Sequence, residues 1–400
     1  MSLLRVGKKI IVMLLCLGYR CLSAMIPVHK KTCLFISFHG KGYSDNPKAI
    51  YEKMRTMPQF SEFNMIWAIR NHKKKNIQIE GAKVVEYLSF SYFYYLARSA
   101  FWIFNCKMPV YVFKKKDQIY LQTWHGTPLK RLAHDIQISG DAKFYRSGLN
   151  AQEMQSTYDD DVSKYTYMIA PNSFCTEVFQ SAFRIEKERL IETGYPRNDI
   201  LINADEQMKE RIRERLGIPK GKKVLLYAPT WRDNSFVAAG YTFELKADFH
   251  KWKAELGDEY VLLFKPHYLI INKFADTEEL KGFLYNVDAS SEISDLYLIA
   301  DALVTDYSSV FFDYAILKRP IYFYMYDLES YREELRGFYI DIYKDLPGNI
   351  YEIEDEMLKD IRSGRFDYER LNAFNARFNE HEDGHASQRV IDIVFGEAKA

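Results

Sequence analysis

Short apolar runs alternate with helical stretches along almost the whole chain, and this alternation constrains the fold more than any other feature. The first strand, Cys33–Phe38, leads through a glycine turn into a helix at Lys48–Met54. Such a unit opens a Rossmann-like sheet, although the full dinucleotide fingerprint is absent. The first half predicts further strands at Met65–Ile69, Ala82–Val85, Phe101–Phe104, Ile119–Leu121 and Tyr167–Ile169, with helices at Leu88–Arg98 and Ser173–Phe183. This order indicates a parallel sheet covered by helices.

The pattern restarts after a turn near residues 193–204, with a charged helix at Glu206–Leu216. The second series predicts strands at Lys223–Tyr227, Tyr260–Phe264, Phe283–Val287, Ala302–Thr305 and Pro320–Tyr324, and helices at Ile293–Ile299 and Val310–Leu317. Four hundred residues also suit two domains. We therefore predict an α/β protein with two Rossmann-like domains, 27–204 and 205–400, that face a central cleft. Clefts between domains are favoured ligand sites.

Charge is distributed unevenly along the chain. Residues 1–130 hold 21 Lys and Arg against 6 Asp and Glu, whereas the remaining 270 residues hold 34 against 48. The basic residues cluster at 29–31, 72–75 and 114–116. Such clusters indicate an anionic partner, either nucleic acid or an anionic membrane surface. Because no zinc finger, helix-turn-helix or RNA-binding signature is found, we predict a membrane surface and no nucleic acid.

The first 26 residues form a separate segment. Lys8 and Lys9 precede an apolar run at 10–17, which Gly18–Arg20 interrupt, so the run is too short to span a bilayer. We predict that residues 1–26 form an amphipathic segment that lies on the membrane surface, with an uncleaved signal peptide or an ordinary core helix as alternatives. The five cysteines are scattered without disulfide or metal spacing, as in proteins of a reducing cytosol.

The stretch Gln122–Lys130 carries the first candidate for chemistry. His125 follows a predicted strand, and Gly126 behind it allows a tight turn. Thr127 and Pro128 match the N-cap and first position of a helix, so a helix is predicted to begin there. Open α/β sheets place reacting groups at this end of a strand. The alternative is a turn histidine that only caps its neighbours.

Three loops of the second half also follow strands directly, and all three are therefore predicted on one rim of the second sheet. These loops are 228–234, 265–267 and 305–309. Ser308 and Ser309 stand at a predicted helix start, where hydroxyls and free N–H groups bind phosphate, although a simple helix cap fits as well. Arg232, Lys265 and His267 are the candidate cations beside that phosphate.

Other reaction classes lack their motifs. Neither an Asp-x-Asp pair nor a His-rich cluster has metal spacing, so we predict an active site without metal or cofactor. A Gly-x-Ser-x-Gly elbow and a P-loop are also missing, which argues against hydrolases and ATPases that use them.

Several motifs occur together in one order. They are Trp124–Lys130, Ala228–Arg232, Lys265–His267 and Thr305–Tyr314, followed by Arg336–Tyr339 and Leu346–Gly348. From about Cys33 to the last residue this set resembles the CDP-glycerol glycerophosphotransferase family of teichoic acid synthesis. The resemblance implies a GT-B fold, with the donor in the second half and the acceptor approached from the first. It also implies peripheral attachment to the cytoplasmic face of the cell membrane.

The resemblance further implies roles for single residues. His125 would be the general base on the acceptor hydroxyl, and His267 would contact the donor pyrophosphate. The other donor-side residues would be Thr230, Arg232, Lys265, Asp306, Ser308 and Ser309, and the acceptor-side residues would be Gly40, Lys41, Gly126, Thr127 and Lys130. An alcohol would attack the β-phosphorus of a CDP-alditol, and CMP would leave.

The implied partners are CDP-glycerol, a polyprenyl-diphosphate-linked saccharide acceptor and the anionic membrane surface. CDP-ribitol as donor is the nearest alternative. A GT-B glycosyltransferase that uses a nucleotide sugar is a second alternative, and a membrane-bound module without turnover is a third. The chain is short beside family members with an extra N-terminal region, which leaves both a primase and a single-domain polymerase open.

Overall fold

The computed structural model contains two parallel β-sheets flanked by helices, which confirms the predicted α/β class. It describes residues 3–136, 150–230, 236–237, 240–241, 246–265, 278–288, 291–329 and 337–396. The first sheet has seven strands and the second has six, and every pairing within these two sheets is parallel.

The first sheet runs in the order β3-β2-β1-β4-β5-β6-β7. Its strands are β1 His29–Ile36, β2 Asn64–Ile69, β3 Lys83–Glu86, β4 Ser99–Phe104, β5 Ile119–Gln122, β6 Tyr167–Ala170 and β7 Leu190–Glu192. The central strands are buried along most of their length, since helices cover both faces of a parallel sheet. This explains why they read as continuous apolar runs in the sequence.

Five helices accompany the first sheet. They are α1 Leu3–Met25, α2 Asp45–Arg55, α3 Phe90–Arg98, α4 Ala151–Val162 and α5 Ser173–Phe183. Local polar residues fix where several of them begin. The side chain of Asn172, for example, accepts a hydrogen bond from the Cys175 N–H, as an N-cap does. The predicted bounds of α5 are confirmed.

Helix α1 presents two different faces. Tyr19 and Ser23 are buried, and the Tyr19 ring packs against Phe93 and Phe113. The exposed apolar side chains of the helix are Ile10, Ile11, Met13, Leu14, Leu15, Leu17 and Met25. Among the described helices, none is both long and apolar enough to cross a bilayer. Contact of this helix with a membrane stays a prediction.

The second sheet runs in the order β12-β11-β8-β13-β14-β15. Its strands are β8 Lys223–Ala228, β11 Tyr260–Phe264, β12 Leu284–Asn286, β13 Ala302–Thr305, β14 Ile321–Tyr324 and β15 Ile350–Tyr351, and a separate antiparallel ribbon joins β9 Phe236–Val237 to β10 Gly240–Tyr241. The helices of this half are α6 Asp199–Asn203, α7 Glu206–Arg215, α8 Phe249–Leu256, α9 Ile293–Ile299, α10 Val310–Ala315, α11 Ile342–Asp345, α12 Glu354–Ser363 and α13 Tyr368–Phe378. The predicted bounds of β11, β13 and α9 are confirmed.

The last described helix, α14 Ala386–Gly396, returns to the first half. Its buried residues Val390 and Val394 belong to the apolar core of the first sheet, and the Phe395 ring lies 4.3 Å from that of Phe101. The chain therefore passes between the halves twice. The division of the sequence between residues 204 and 205 stays a prediction.

The two passages lie side by side. The Asp199 carboxylate of the first accepts hydrogen bonds from the backbone N–H groups of Ala386 and Ser387, both at 2.8 Å, and so caps α14 from outside. In the opposite direction, the Arg389 side chain on α14 donates two hydrogen bonds to the Thr193 carbonyl, at 2.8 and 3.0 Å. Gly194 is required here because a Cβ would lie 2.6 Å from the His381 carbonyl oxygen.

Candidate active site

His125 lies just beyond the carboxyl end of β5, as the sequence predicts. Its ring stacks on that of Trp124 at 4.5 Å and contacts Phe38 edge-on at 5.8 Å, while its side chain remains exposed among buried neighbours. The backbone of Trp124 has a φ of 52°, which is uncommon for a non-glycine residue and turns the chain sharply before the histidine. The ring is therefore held in place and open to a reactant.

The hydrogen bond of the His125 ring determines which ring nitrogen carries the proton. Nδ1 lies 3.0 Å from the Asn105 carbonyl oxygen, which can only accept, so Nδ1 carries the proton. In the neutral ring Nε2 then keeps its lone pair. Desolvation by the surrounding protein lowers the pKa of His125; Asp45 and the Asn105 carbonyl oppose this shift, and Arg197 adds to it. The ring is therefore neutral near pH 7 and can accept a proton at Nε2.

Arg197 fixes the loop of His125 to both halves. Its Nη1 donates to the His125 carbonyl and to the Asp45 carboxylate, each at 2.8 Å, and its Nη2 donates to the Asp313 carboxylate at 2.6 Å. Asp45 begins α2 in the first half, whereas Asp313 lies on α10 in the second. One guanidinium thus links the histidine loop to a helix of each sheet, because it carries several N–H donors in one plane.

Asn105 completes this arrangement at the end of β4. Its side chain accepts from the Phe38 N–H at 2.7 Å and donates to Asp45 at 2.5 Å, while its carbonyl faces His125. The sequence interpretation missed Asn105, Asp45, Arg197 and Asp313 as site residues. In the sequence, Arg197 lies within the turn near residues 193–204 and Asp313 within the motif Thr305–Tyr314, and neither position marks a site residue by itself.

Ser309 approaches the same loop from the second half. A Cβ built on Gly126 would lie 3.6 Å from Ser309 Oγ and 3.5 Å from Arg197 Nη2, so Ser309 lies beside the residue that follows His125. The exposed Ser309 hydroxyl makes no capping bond to α10, while the Ser308 hydroxyl accepts a long one, 3.4 Å, from Val310 N–H. The Ser309 hydroxyl is thus not used as a helix cap.

Asp306 and Thr230 tie two loops of the second half together. The buried Asp306 carboxylate accepts from both the N–H and the hydroxyl of Thr230 at 2.8 Å. Beside them, the Thr305 hydroxyl donates to the Ala228 carbonyl at 2.8 Å. These contacts hold the loops after β8 and β13 at one edge of the sheet. Direct binding of a donor by Thr230 and Asp306 stays a prediction.

The remaining donor-side candidates differ in how far the structure describes them. Lys265 follows β11 on the same edge, where its ammonium donates to the Asp288 carbonyl at 2.5 Å and burial lowers its pKa. Arg232 and His267 lie outside the described residues, and their predicted roles stay predictions.

Gly40 and Lys41 belong to a tight loop after β1. Phe38, His39 and Gly40 follow one another with φ values of 45°, 56° and 79°. A side chain at Gly40 is excluded, since a Cβ would lie 2.8 Å from that of Tyr87. Lys41 is exposed on this loop and donates its N–H to the Ser37 carbonyl. The loop borders His125 through Phe38, and its acceptor-side role stays a prediction.

The helix predicted to begin at Thr127 and Pro128 is wrong. Both residues are buried in a non-helical segment, which continues into an antiparallel pairing of 129–131 with 337–339. The Arg131 N–H donates to the Gly337 carbonyl and the Tyr339 N–H to the Leu129 carbonyl, both at 3.0 Å. Backbone hydrogen bonds to a segment far away in sequence thus form in place of the hydrogen bonds of a helix. Lys130 forms the bridge with Phe338 at the centre of this pairing.

One group of described residues has metal-ligand spacing: Glu192, Glu380 and His381 offer ligand atoms within 4.8 Å of one another. His381 Nε2 lies 3.5 Å from Glu192 and 3.7 Å from Glu380, so the group also forms weak ion pairs. It includes no predicted site residue. The metal-independent active site stays a prediction.

Comparison with known proteins agrees with this geometry. Residues 19–396 match the family model described as CDP-Glycerol:Poly(glycerophosphate) glycerophosphotransferase. The chain is 41% identical over 379 residues to a teichoic acid poly(glycerol phosphate) polymerase of Staphylococcus epidermidis, with 93% of this chain and 51% of the relative covered. It is 40% identical to a teichoic acid glycerol-phosphate transferase of Staphylococcus aureus, with 92% and 93% covered.

A solved structure supports the same relation. A variant of the wall teichoic acid polymerase TagF soaked with CDPG superposes with a TM-score of 0.87 at 39% identity, covering 99% of this chain and 97% of that one. The expected two-domain GT-B architecture is thereby confirmed. The chain spans about half the length of the Staphylococcus epidermidis polymerase. On these matches and on the ordered motifs, the chain belongs to the CDP-glycerol:poly(glycerophosphate) glycerophosphotransferase family.

Proposed function

We propose that this protein transfers glycerol phosphate from CDP-glycerol to a hydroxyl of a lipid-linked acceptor and releases CMP. The product is a teichoic acid or a teichoic-acid-like capsule, and the acceptor carries a polyprenyl-diphosphate-linked saccharide. The observation that carries the proposal is a neutral His125, exposed at the edge of the first sheet, with Ser309 of the second half beside the adjacent Gly126. Family membership supports the donor class.

In this reaction the acceptor hydroxyl lies against Nε2 of His125. Nε2 takes the hydroxyl proton as the oxygen attacks the β-phosphorus, the bond from that phosphorus to the CMP oxygen breaks, and CMP leaves with the electron pair. A base in this position contributes about 10²–10⁴-fold. Hydroxyls of Ser308 and Ser309, with Lys265, Arg232 and His267, hold the pyrophosphate charge on the other side.

The donor assay tests this proposal directly. Release of CMP is measured with CDP-glycerol and CDP-ribitol, and release of UDP with UDP-sugars, on a defined lipid-linked primer. We expect CMP from CDP-glycerol, because the relatives named above carry glycerol-phosphate names. Release from CDP-ribitol alone would establish the ribitol alternative, and release from neither alditol donor would overturn the proposal. Product-length analysis then separates a primase from a polymerase.

We further propose that α1 attaches the protein peripherally to the cytoplasmic membrane face. The exposed apolar face of the helix supports this, since burying such side chains in the headgroup region is favourable and nearby Lys and Arg each add about 1 kcal/mol on an anionic surface. The double variant Ile11→Asn/Leu14→Asn leaves the buried Tyr19 face intact. It should lose binding to anionic vesicles at physiological salt.

The matched control for the membrane test is Ile202→Asn/Ile353→Asn, which removes two exposed apolar side chains elsewhere. It should bind vesicles like the unmodified protein. Vesicle binding that persists in the α1 variant and after neutralisation of Lys73, Lys74 and Lys75 would contradict attachment by this helix and these charges.

A further inference from the structure

One fully buried amide beside the loop of His125 has no part in the proposed reaction. Asn46 lies in the first turn of α2, between Asp45 and Pro47, and none of its surface is exposed. Proline is favoured in a first helical turn, where its missing N–H is no loss, so the helix start that carries Asn46 is well defined. A buried amide needs partners for two N–H donors and one oxygen acceptor. The partners of Asn46 therefore show which parts of the chain it holds.

All three partners are backbone groups of other segments. Nδ2 of Asn46 donates to the carbonyls of Thr123 at 3.2 Å and Trp124 at 3.1 Å. Its Oδ1 accepts from the Arg197 N–H at 3.0 Å. Because carbonyls only accept and a backbone N–H only donates, turning the amide over would lose all three bonds. The partners thus determine the orientation of the amide.

These bonds are not those of a helix cap. An asparagine at a helix start usually accepts from an N–H of its own helix. The partners of Asn46 lie 77, 78 and 151 residues away in the chain. Ser44, at the N-cap position of α2, makes no side-chain capping bond either. Asn46 therefore holds segments outside α2 in place.

The turn that Asn46 holds leads directly into His125. Trp124 has a φ of 52°, and a side chain of this size adopts such a conformation only where its surroundings maintain it. The Trp124 N–H also donates to the Gln122 side chain, and its carbonyl accepts from the Thr123 hydroxyl. Both of these bonds are local and move with the turn. The bonds to Asn46 instead fix the turn relative to α2.

Asn46 and Arg197 hold the loop of His125 together. Three successive carbonyls, those of Thr123, Trp124 and His125, accept from these two side chains. The Arg197 N–H donates to Asn46 in turn, so the two residues are also bonded to each other. Only Asn46 binds the carbonyls that precede the histidine. It therefore determines the direction in which the backbone enters His125.

That direction matters because the ring of His125 must reach a fixed acceptor. Nδ1 lies 3.0 Å from the Asn105 carbonyl oxygen, and this bond leaves the lone pair on Nε2. If the turn at Trp124 relaxed toward a negative φ, the ring would leave the chain in another direction. The bond to Asn105 would be lost, and either ring nitrogen would then carry the proton.

We propose that Asn46 is a positioning residue for the base: its amide keeps the turn at Trp124 in place and so aims Nε2 of His125 at the acceptor hydroxyl. The inference rests on the proposed function, which assigns the base to His125. Asn46 itself touches no reacting atom. Its loss should therefore lower the rate of transfer without weakening the binding of the donor.

Two variants remove the donors of this amide. Asn46→Ala removes the whole group, whereas Asn46→Asp keeps its shape and the oxygen that accepts from Arg197 but, when ionised, has no donor. In both variants kcat for CMP release should fall roughly 10²-fold with an unchanged KM for CDP-glycerol, as misplacement of a reacting group by about 1 Å does. The matched control is Asn172→Ala, at a second fully buried amide, which bonds Cys175 and Phe378. The control should lower the thermal unfolding midpoint and keep kcat.

A double variant separates positioning from a general effect on the fold. In the His125→Asn background the base is already absent, so adding Asn46→Ala should not lower the residual rate further. An equal further loss in that background would overturn the inference. Full kcat in a folded Asn46 variant would overturn it as well.

Nuclear magnetic resonance tests the inference without turnover. In protein with ¹⁵N-labelled histidine, the ring signals of His125 are identified by their loss in His125→Asn. They should show the proton on Nδ1 in the unmodified protein and a mixture of both tautomers in Asn46→Ala. An unchanged tautomer in Asn46→Ala would overturn the inference. Absence of CMP release by the unmodified protein would instead count against the proposed function.

Discussion

The carboxyl edges of the two sheets meet at the same site but are built differently. The loops of the first edge hold several non-glycine residues at positive φ, among them Phe38, His39, Asp45 and Trp124. In the described part of the second edge, no non-glycine residue has positive φ, and its loops are tied by a neutral donor pair on Asp306. Backbone strain is thus concentrated around His125, the proposed base. The edge where phosphate is proposed to bind instead offers hydroxyl groups without such strain.

The largest expected effect concerns the base of the first edge. His125→Asn should lower CMP release about 10²–10⁴-fold, because Nε2 no longer accepts the proton. The fold should be retained, with an unchanged thermal unfolding midpoint. His250→Asn, at an exposed histidine of the second half, is the control and should keep full activity. Full activity in His125→Asn would contradict the assignment of catalysis to the first edge and favour a module without turnover.

The next largest effect is expected for Arg197, which connects the two edges, and concerns the free energy of unfolding. Arg197→Gln leaves Asp45 and Asp313 without their shared cation in a mostly buried position, and should cost roughly 3–5 kcal/mol in the free energy of unfolding. Urea denaturation measures this loss. Arg215→Gln breaks a single ion pair with Asp295, in which the arginine is exposed, and should cost at most about 1 kcal/mol. Similar losses in both variants would mean that the bridge does not join the halves.

The pH dependence of kcat/KM sharpens the comparison further. Desolvation lowers the pKa of His125 below its ordinary value of 6.5, so the base stays neutral down to that lower pKa. Activity should fall only as the pH drops through it, about tenfold for each further unit, and the acid limb should lie below pH 6.5. A limb above pH 6.5 would show that His125 is not desolvated in the free enzyme.

The smallest expected effect belongs to the second edge. Ser309→Ala removes a hydroxyl that does not cap α10, so the unfolding free energy should change by less than about 0.5 kcal/mol. The KM for CDP-glycerol should rise roughly tenfold through loss of one bond to a charged phosphate. Asp306→Asn should behave differently, because it disturbs the tie to Thr230 and lowers stability. A Ser309→Ala variant with unchanged donor KM would remove this serine from the donor site.

Most of the fold could be predicted from the sequence because parallel strands buried on both faces leave continuous apolar runs. For this reason the predicted strand bounds are correct for Tyr260–Phe264 and Ala302–Thr305. The short strand Leu190–Glu192 was missed, since three residues carry too little pattern. The helix expected at Thr127 failed because its capping signal is local, whereas the chain there pairs with residues 337–339.

The candidate site likewise contains residues that the sequence predicts and residues that it does not predict. His125 was predicted from its place after a strand, and the structure confirms that place. Arg197 could not be found by local reasoning, because its two carboxylate partners lie 152 and 116 residues away. Asn105 was hidden for a similar reason, since its function depends on contacts with the loops of β1 and β5. Residues that position a proposed catalytic side chain are recognised by their contacts. Those contacts form only in the folded chain, so the sequence does not show them.

The double passage between the halves limits how they can move. The segment around Asp199 and the segment that leads into Ala386 each connect the two halves. Because they are hydrogen-bonded to each other, they form a pair of adjacent linkers. A single linker would allow one half to swivel about its own axis. Two adjacent linkers oppose that rotation, and the bonds of Arg389 to the Thr193 carbonyl keep them together. Any separation of His125 from Ser309 would therefore proceed by bending, which would also strain the Arg197 bonds to Asp45 and Asp313.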